Sequence, residues 1–191
     1  MLAITIILTE GFSDWEIATL GGVGRAFYDA EIHFSSPYGG PVSSVAGMTI
    51  ASTPVFQPPK SGVVVVCGGP VWESNAAPDI ADQLHTAYAN GCTVAGICGG
   101  TIALARAKLL DHFRHTSNGA GYLQKFAPHY AGADYYVDQP FAVRDQSIIT
   151  APAPAPASFA SEILIAAGLE KAAAKQMRAM LALEHTHCSN S

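Results

Sequence analysis

The chain has 191 residues, 49% of them hydrophobic and 13% charged, with a formal net charge of −5. That balance belongs to a packed interior and excludes a disordered segment, while the length suits one sizeable domain and is short for two. Net negative charge argues against nucleic acid or an anionic membrane as partner, and with no apolar run of eighteen residues no spanning helix is predicted.

MLAITIILTE, lacking a basic leader and a small-residue cleavage site, reads as a first strand over Leu2–Thr9 rather than a signal peptide. Asp14 then precedes a stretch with apolar residues at Ile17, Leu20, Val23 and Phe27, close to helical spacing. AEIHFSS (30–36) alternates as a second strand, and PVSSVAGMTIAST, with Gly47 at its turn, reads as a hairpin decorating the sheet. GVVVVC (62–67) is a β-branched run of the kind buried on both faces of a parallel sheet, and Gly68-Gly69-Pro70 ends it.

Pro78–Asn90 reads as a helix stopped by Gly91, and TVAGI leads into Cys98 and a further helix. Past residue 111 come RHTSN, a helix around Tyr122–Phe126, DYYVD and SIITA. APAPAPA (151–157) leads into a helix over Ser158–Ala167, since proline fits a first helical turn, and a last helix spans Ala172–Leu183. The alternation predicts a three-layer α/β sandwich with a mainly parallel central sheet, one domain over 1–184, and a flexible tail over 185–191. The cysteines at 67, 92, 98 and 188 have no metal-finger spacing, so free thiols and a cytoplasmic location are expected. So few charges leave apolar surface over, and a homodimer is expected.

In a parallel α/β sheet, functional groups gather at the carboxyl ends of strands. Three such ends carry unusual residues here: EGFSDWE after the first strand, GGP after the valine run, and Cys98 after TVAGI. A cysteine on a sharp strand-to-helix turn is pushed out of the sheet above the free N–H groups of the next helix, which lower a thiol's pKa. Gly96, Gly99 and Gly100 are small enough for such a turn. The bland alternative is a structural cysteine before a glycine-closed turn. For Glu16 it is a first-turn glutamate that interacts favourably with a helix N-terminus.

GICGGTIALA around Cys98, GFSDWEIA around Glu16 and Gly68-Gly69-Pro70 after a valine-rich strand, in that order, resemble the ThiJ/PfpI superfamily over nearly the whole chain. The resemblance implies the flavodoxin-like, class I glutamine amidotransferase-like fold. It also implies Cys98 as reactive thiol, a protonated Glu16 hydrogen-bonded to its sulfur, and the N–H groups of Gly69 and Gly99 as an oxyanion hole. Protease-like members have a histidine directly after the cysteine, where this chain has Gly99. Glutaminases of this fold use a late His-x-Glu pair, whereas Glu184-His185-Thr186-His187 has the wrong order and lies too near the chain end.

His115, in RHTSN, is then the candidate base. His33, His85, His112 and His129 read as surface residues, and Cys67 as core. The His185, His187 and Cys188 cluster reads as a frayed terminus rather than a metal site. The implied function is a cysteine-dependent amidase, protease or amidotransferase-like hydrolase acting on a small electrophilic molecule, with neither metal nor cofactor. The alternatives are glyoxalase III-type hydration of 2-oxoaldehydes, a non-catalytic cysteine redox sensor, and a stress chaperone or binding module.

Overall fold

The computed structural model describes residues 1–186. Its central sheet is built around β5 (Val63–Val66), four valines with no exposed surface, which only an interior strand covered on both faces can bury. β5 pairs with β1 (Ile4–Ile7) on one side and with β6 (Thr93–Ile97) on the other, both parallel. β2 (Ile32–Ser35), β8 (Ile148–Ala151) and the antiparallel edge strand β7 (Val143–Asp145) complete the order β2-β1-β5-β6-β8-β7. The predicted hairpin is present as β3 (Gly40–Ser43) and β4 (Thr49–Thr53), a separate antiparallel pair. The mainly parallel, helix-flanked sheet expected from the sequence is therefore what forms.

Helices cover both faces. α1 (Asp14–Ala18), α2 (Gly24–Tyr28) and α6 (Pro156–Ala166) pack on one, with α7 (Lys171–Thr186) against α6. α3 (Ala81–Ala89), α4 (Gly100–Arg106) and α5 (Tyr122–Phe126) cover the other. Among the described residues no helix is long and apolar enough to cross a membrane.

Several boundaries differ from the sequence reading. Between α1 and α2 the chain forms a π turn over Thr19–Val23, which takes more residues per turn than an α-helix and shifts the phase of the stripe. Phe27, expected on the buried face, is consequently 75% exposed, and Gly24 packs inward against Ala30, Ile32 and Leu164 instead. The third helix starts at Ala81 rather than Pro78, α6 already starts at Pro156, and the last helix runs on to Thr186. The loose His185–Cys188 cluster and the rest of the tail fall on side chains outside the described residues.

β1 runs to β2 on one side, and the chain then crosses back to β5 on the other. The order therefore reverses between β1 and β5, and the loops after β1, β5 and β6 open onto a single crevice. The hairpin leans on its rim: the Glu10 carboxylate accepts the Ser43 N–H at 3.0 Å and Asp14 accepts the Ala46 N–H at 3.1 Å.

Candidate functional site

Cys98 stands between β6 and α4 with φ at +52°, a left-handed conformation that costs a non-glycine residue about 1–2 kcal/mol. The turn is held from three directions. Its N–H donates to the Ala151 carbonyl at 2.9 Å, and its carbonyl accepts the Thr101 N–H at 3.1 Å and the Thr101 hydroxyl at 2.5 Å. With the Thr101 proton so used, the Ser117 hydroxyl is the donor in its 2.6 Å bond to Thr101.

The neighbouring glycines are required by close approach rather than by turn conformation. A Cβ on Gly100 would run into the Val66 carbonyl, one on Gly96 would lie 3.0 Å from the Gly100 carbonyl oxygen, and one on Gly99 would lie 2.8 Å from that of Gly69. The start of α4 is thus pressed onto the ends of β5 and β6, which aims the Cys98 side chain toward α1.

Glu16 meets it there. Its side chain has no exposed surface, and Oε2 accepts the Gly68 N–H at 2.9 Å. The Cys98 and Ser13 side chains interact with the same carboxyl, although neither is aligned well enough to give Oε1 a full hydrogen bond. Gly68 makes the meeting possible: a Cβ there would collide with Oε2 and lie 2.8 Å from the Cys98 Cβ. The turn beyond is pinned by the fully buried Trp72, whose indole N–H donates to the Cys67 carbonyl at 2.9 Å.

Burial pushes the Glu16 carboxyl up to about 7, against the pull of its hydrogen bonds. Burial and then the Glu16 charge push the Cys98 thiol up to about 12, while Asn118 and the Gly99 N–H pull it down. This reverses the sequence expectation of a lowered thiol. α4 is only seven residues long, and its N-terminus does not outweigh desolvation beside a carboxylate. Above neutrality the resting pair is therefore a neutral thiol beside a carboxylate that is a base near its own pKa.

His115 does not join the pair. Its ring is fully buried, with Nδ1 2.7 Å from the Phe113 carbonyl and Nε2 2.6 Å from the Tyr130 hydroxyl. A carbonyl only accepts, so Nδ1 carries the proton and Nε2 accepts from Tyr130. Burial lowers the pKa of His115 and keeps it neutral, and its one lone pair is engaged. The expected base is thus a structural histidine. His33, His85, His112 and His129 are exposed, and Cys67 is buried, as read.

Two residues of the same segment that sequence reasoning passed over hold the turn instead. Ser117 fixes its carbonyl through Thr101, and Asn118 donates from Nδ2 to the Cys98 sulfur at 3.2 Å. Asn118 is itself held by the Ala153 N–H on Oδ1 at 2.9 Å. Tyr122, pushed upward by burial, donates to Glu73 at 2.8 Å and also interacts with Asn118. The available signal was an amide directly after Ser117, the residue that a strand period of two puts on the same side as His115. A search for bases ignores donors.

Beside Asn118 opens a cleft of about 590 Å3 walled by Asp138, Gln139, Pro140, Pro152 and Pro154. Pro152, Ala153 and Pro154 of the APAPAPA run therefore form one wall of the cleft beside Asn118. Among the described residues no group of three or more metal-ligating side chains is present.

Residues 3–166 match the model of the DJ-1/PfpI family. The chain is 31% identical over 166 residues to the uncharacterized protease YdeA of Bacillus subtilis (strain 168), which covers 85% of this chain and 81% of YdeA. It is 35% identical over 102 residues to the uncharacterized protease YoaZ of the same organism, covering 53% of this chain and about half of YoaZ, 48%. Among solved structures, the DJ-1 superfamily protein Atu0886 from Agrobacterium tumefaciens superposes with a TM-score of 0.90 at 34% identity, over 97% of this chain and 100% of that one. The thiJ/pfpI family protein from Bacillus anthracis, at 24% identity, a TM-score of 0.82 and coverages of 98% and 93%, shares the fold.

Proposed function

Because the chain belongs to the DJ-1/PfpI family and brings a thiol, a carboxyl and an amide together at one strand end, we propose that it is a hydrolase attacking small amide- or carbonyl-bearing molecules with Cys98. The carboxylate of Glu16 removes the thiol proton as Sγ adds to the substrate carbon, which fits a base whose pKa lies near neutral pH. The oxygen that turns negative meets the N–H groups of Gly69 and Gly99, worth about 2.7–4 kcal/mol per donor in such holes. Protonated Glu16 returns its proton to the leaving nitrogen, and water then releases the acyl group from sulfur. Asn118 holds the sulfur in place throughout, and the cleft beside it takes the rest of the substrate.

The observation that carries this reading is the left-handed Cys98, contacted by both Glu16 and Asn118. Strain at one residue, maintained by Thr101 and Ser117, serves to present the sulfur. The names of the two Bacillus subtilis relatives support hydrolysis over a binding role. A panel of small amides, peptides and 2-oxoaldehydes, assayed with the wild type and Cys98→Ala, tests it. Amide turnover that vanishes in the variant is expected. Formation of hydroxy acids from 2-oxoaldehydes alone would move the activity to hydration, and turnover that survives Cys98→Ala would remove Cys98 from the chemistry.

A further inference from the structure

Cys67 is a thiol that the hydrolytic scheme leaves unused. It directly follows β5, and the pairing of Val66 with Gly96 puts Gly68 opposite Cys98 and Cys67 one residue earlier on the neighbouring strand. With parallel strands about 4.8 Å apart and a rise of about 3.3 Å per residue, the two α-carbons lie about 6 Å apart. Disulfides bridge about 4.4–6.8 Å.

In regular strands, residues offset by one point to opposite faces. The left-handed Cys98 breaks that alternation and packs against the same apolar cluster as Cys67. The residue between them is glycine, and the Glu16 carboxyl that lies over it acts on both thiols. Cys67 makes one long hydrogen bond, from Sγ to the Ser13 carbonyl at 3.5 Å, and the charges of Glu16 and Cys98 both reach it. It has no exposed surface, whereas Cys98 is partly exposed. An oxidant from solvent therefore meets Cys98 first, and Cys67 is approached only from inside.

We propose that Cys67 is the resolving thiol of Cys98, and that a hydroperoxide converts the pair into an intramolecular disulfide. In the first step the Cys98 sulfur attacks the peroxide oxygen. The O–O bond breaks, sulfur is oxidised to the sulfenic acid, and the sulfur's proton passes by way of Glu16 to the departing oxygen as water or alcohol. In the second step the Cys67 sulfur attacks the Cys98 sulfur, the S–O bond breaks, and hydroxide leaves as water with the Cys67 proton. The bridge closes before a second peroxide can carry Cys98 to the sulfinic acid. This rests on Cys98 being the reactive thiol of the proposed function.

The test is intact mass and non-reduced peptide mapping of the full chain after graded hydrogen peroxide, for the wild type, Cys67→Ala, Cys67→Ser and Cys98→Ala. The wild type should lose two hydrogens, regain them with phosphine, and yield a linked pair of peptides containing residues 67 and 98. Whichever Cys67 variant folds should gain two oxygens at Cys98 under the same dose. A wild type that gains two oxygens while Cys67 stays free to alkylate overturns the disulfide and leaves the hydrolase reading standing. So does a link from Cys98 to Cys188 or to a second copy of the chain. If neither peroxide nor iodoacetamide modifies Cys98 in the wild type, both readings fall.

Discussion

Glu16 and Cys98 share a pocket that holds one negative charge at a time, and Glu16 ionises first, at about 7. Replacing it by glutamine removes the charge that raises the thiol. Glu16→Gln should therefore titrate Cys98 well below about 12 in ultraviolet thiolate absorbance while losing turnover, by ~100-fold or more if the carboxylate is the base. Wild-type turnover should rise with pH through about 7, a limb missing from the variant. Turnover that follows the thiolate fraction in both proteins would take the base role away from Glu16. Asn118 pulls the other way: without its N–H the sulfur's charge loses a donor worth about 1.5–3 kcal/mol, so Asn118→Ala should slow iodoacetamide alkylation about ten- to a hundredfold. Asn118→Asp keeps an acceptor for the Ala153 N–H and should slow it at least as much.

Among the elements, the contact of α4 with the ends of β5 and β6 decides where the sulfur points. Gly96, Gly99 and Gly100 let helix and strands approach to backbone contact, and the obstacle at Gly100 is the Val66 carbonyl, which cannot step aside as a side chain would. Gly100→Ala should therefore cost about 1–3 kcal/mol, read as a lower urea midpoint. An unchanged midpoint would mean that the strands yield. The glycine cluster was legible in the sequence as room for a tight turn, but a chain written in order does not show that residue 66 is what lies against residue 100. The first helix teaches the same lesson. The stripe Ile17, Leu20, Val23 fits either helical period, and only packing of Gly24 against Ala30, Ile32 and Leu164 selects the π turn that sends Phe27 to solvent.

At the scale of the molecule, the buried carboxyl makes stability depend on pH. The folded state raises Glu16 from 4.5 to about 7, so it favours the protonated form. The stabilisation is complete below 4.5 and is lost as pH rises to about 7, a change on the order of 3 kcal/mol. His115 acts oppositely: its folded pKa is lowered from 6.5, so its contribution is present above that value and falls away on acidification. Urea unfolding of the wild type and Glu16→Gln at pH 5 and pH 8 separates the two. The variant should gain on the wild type by about 3 kcal/mol between those values, and parallel curves would show Glu16 to be ionised without penalty.

The strand-and-helix alternation, the doubly buried valine run, the hairpin, and a thiol and an acid at strand ends follow from local pattern alone, since period, β-branching and glycine placement are properties of neighbours in the chain. The roles of His115 and Asn118, the direction in which the thiol is shifted, and the closeness of Cys67 to Cys98 were decided only in three dimensions. Each depends on which polar group or charge is brought close by a distant segment, and on how much water that approach removes.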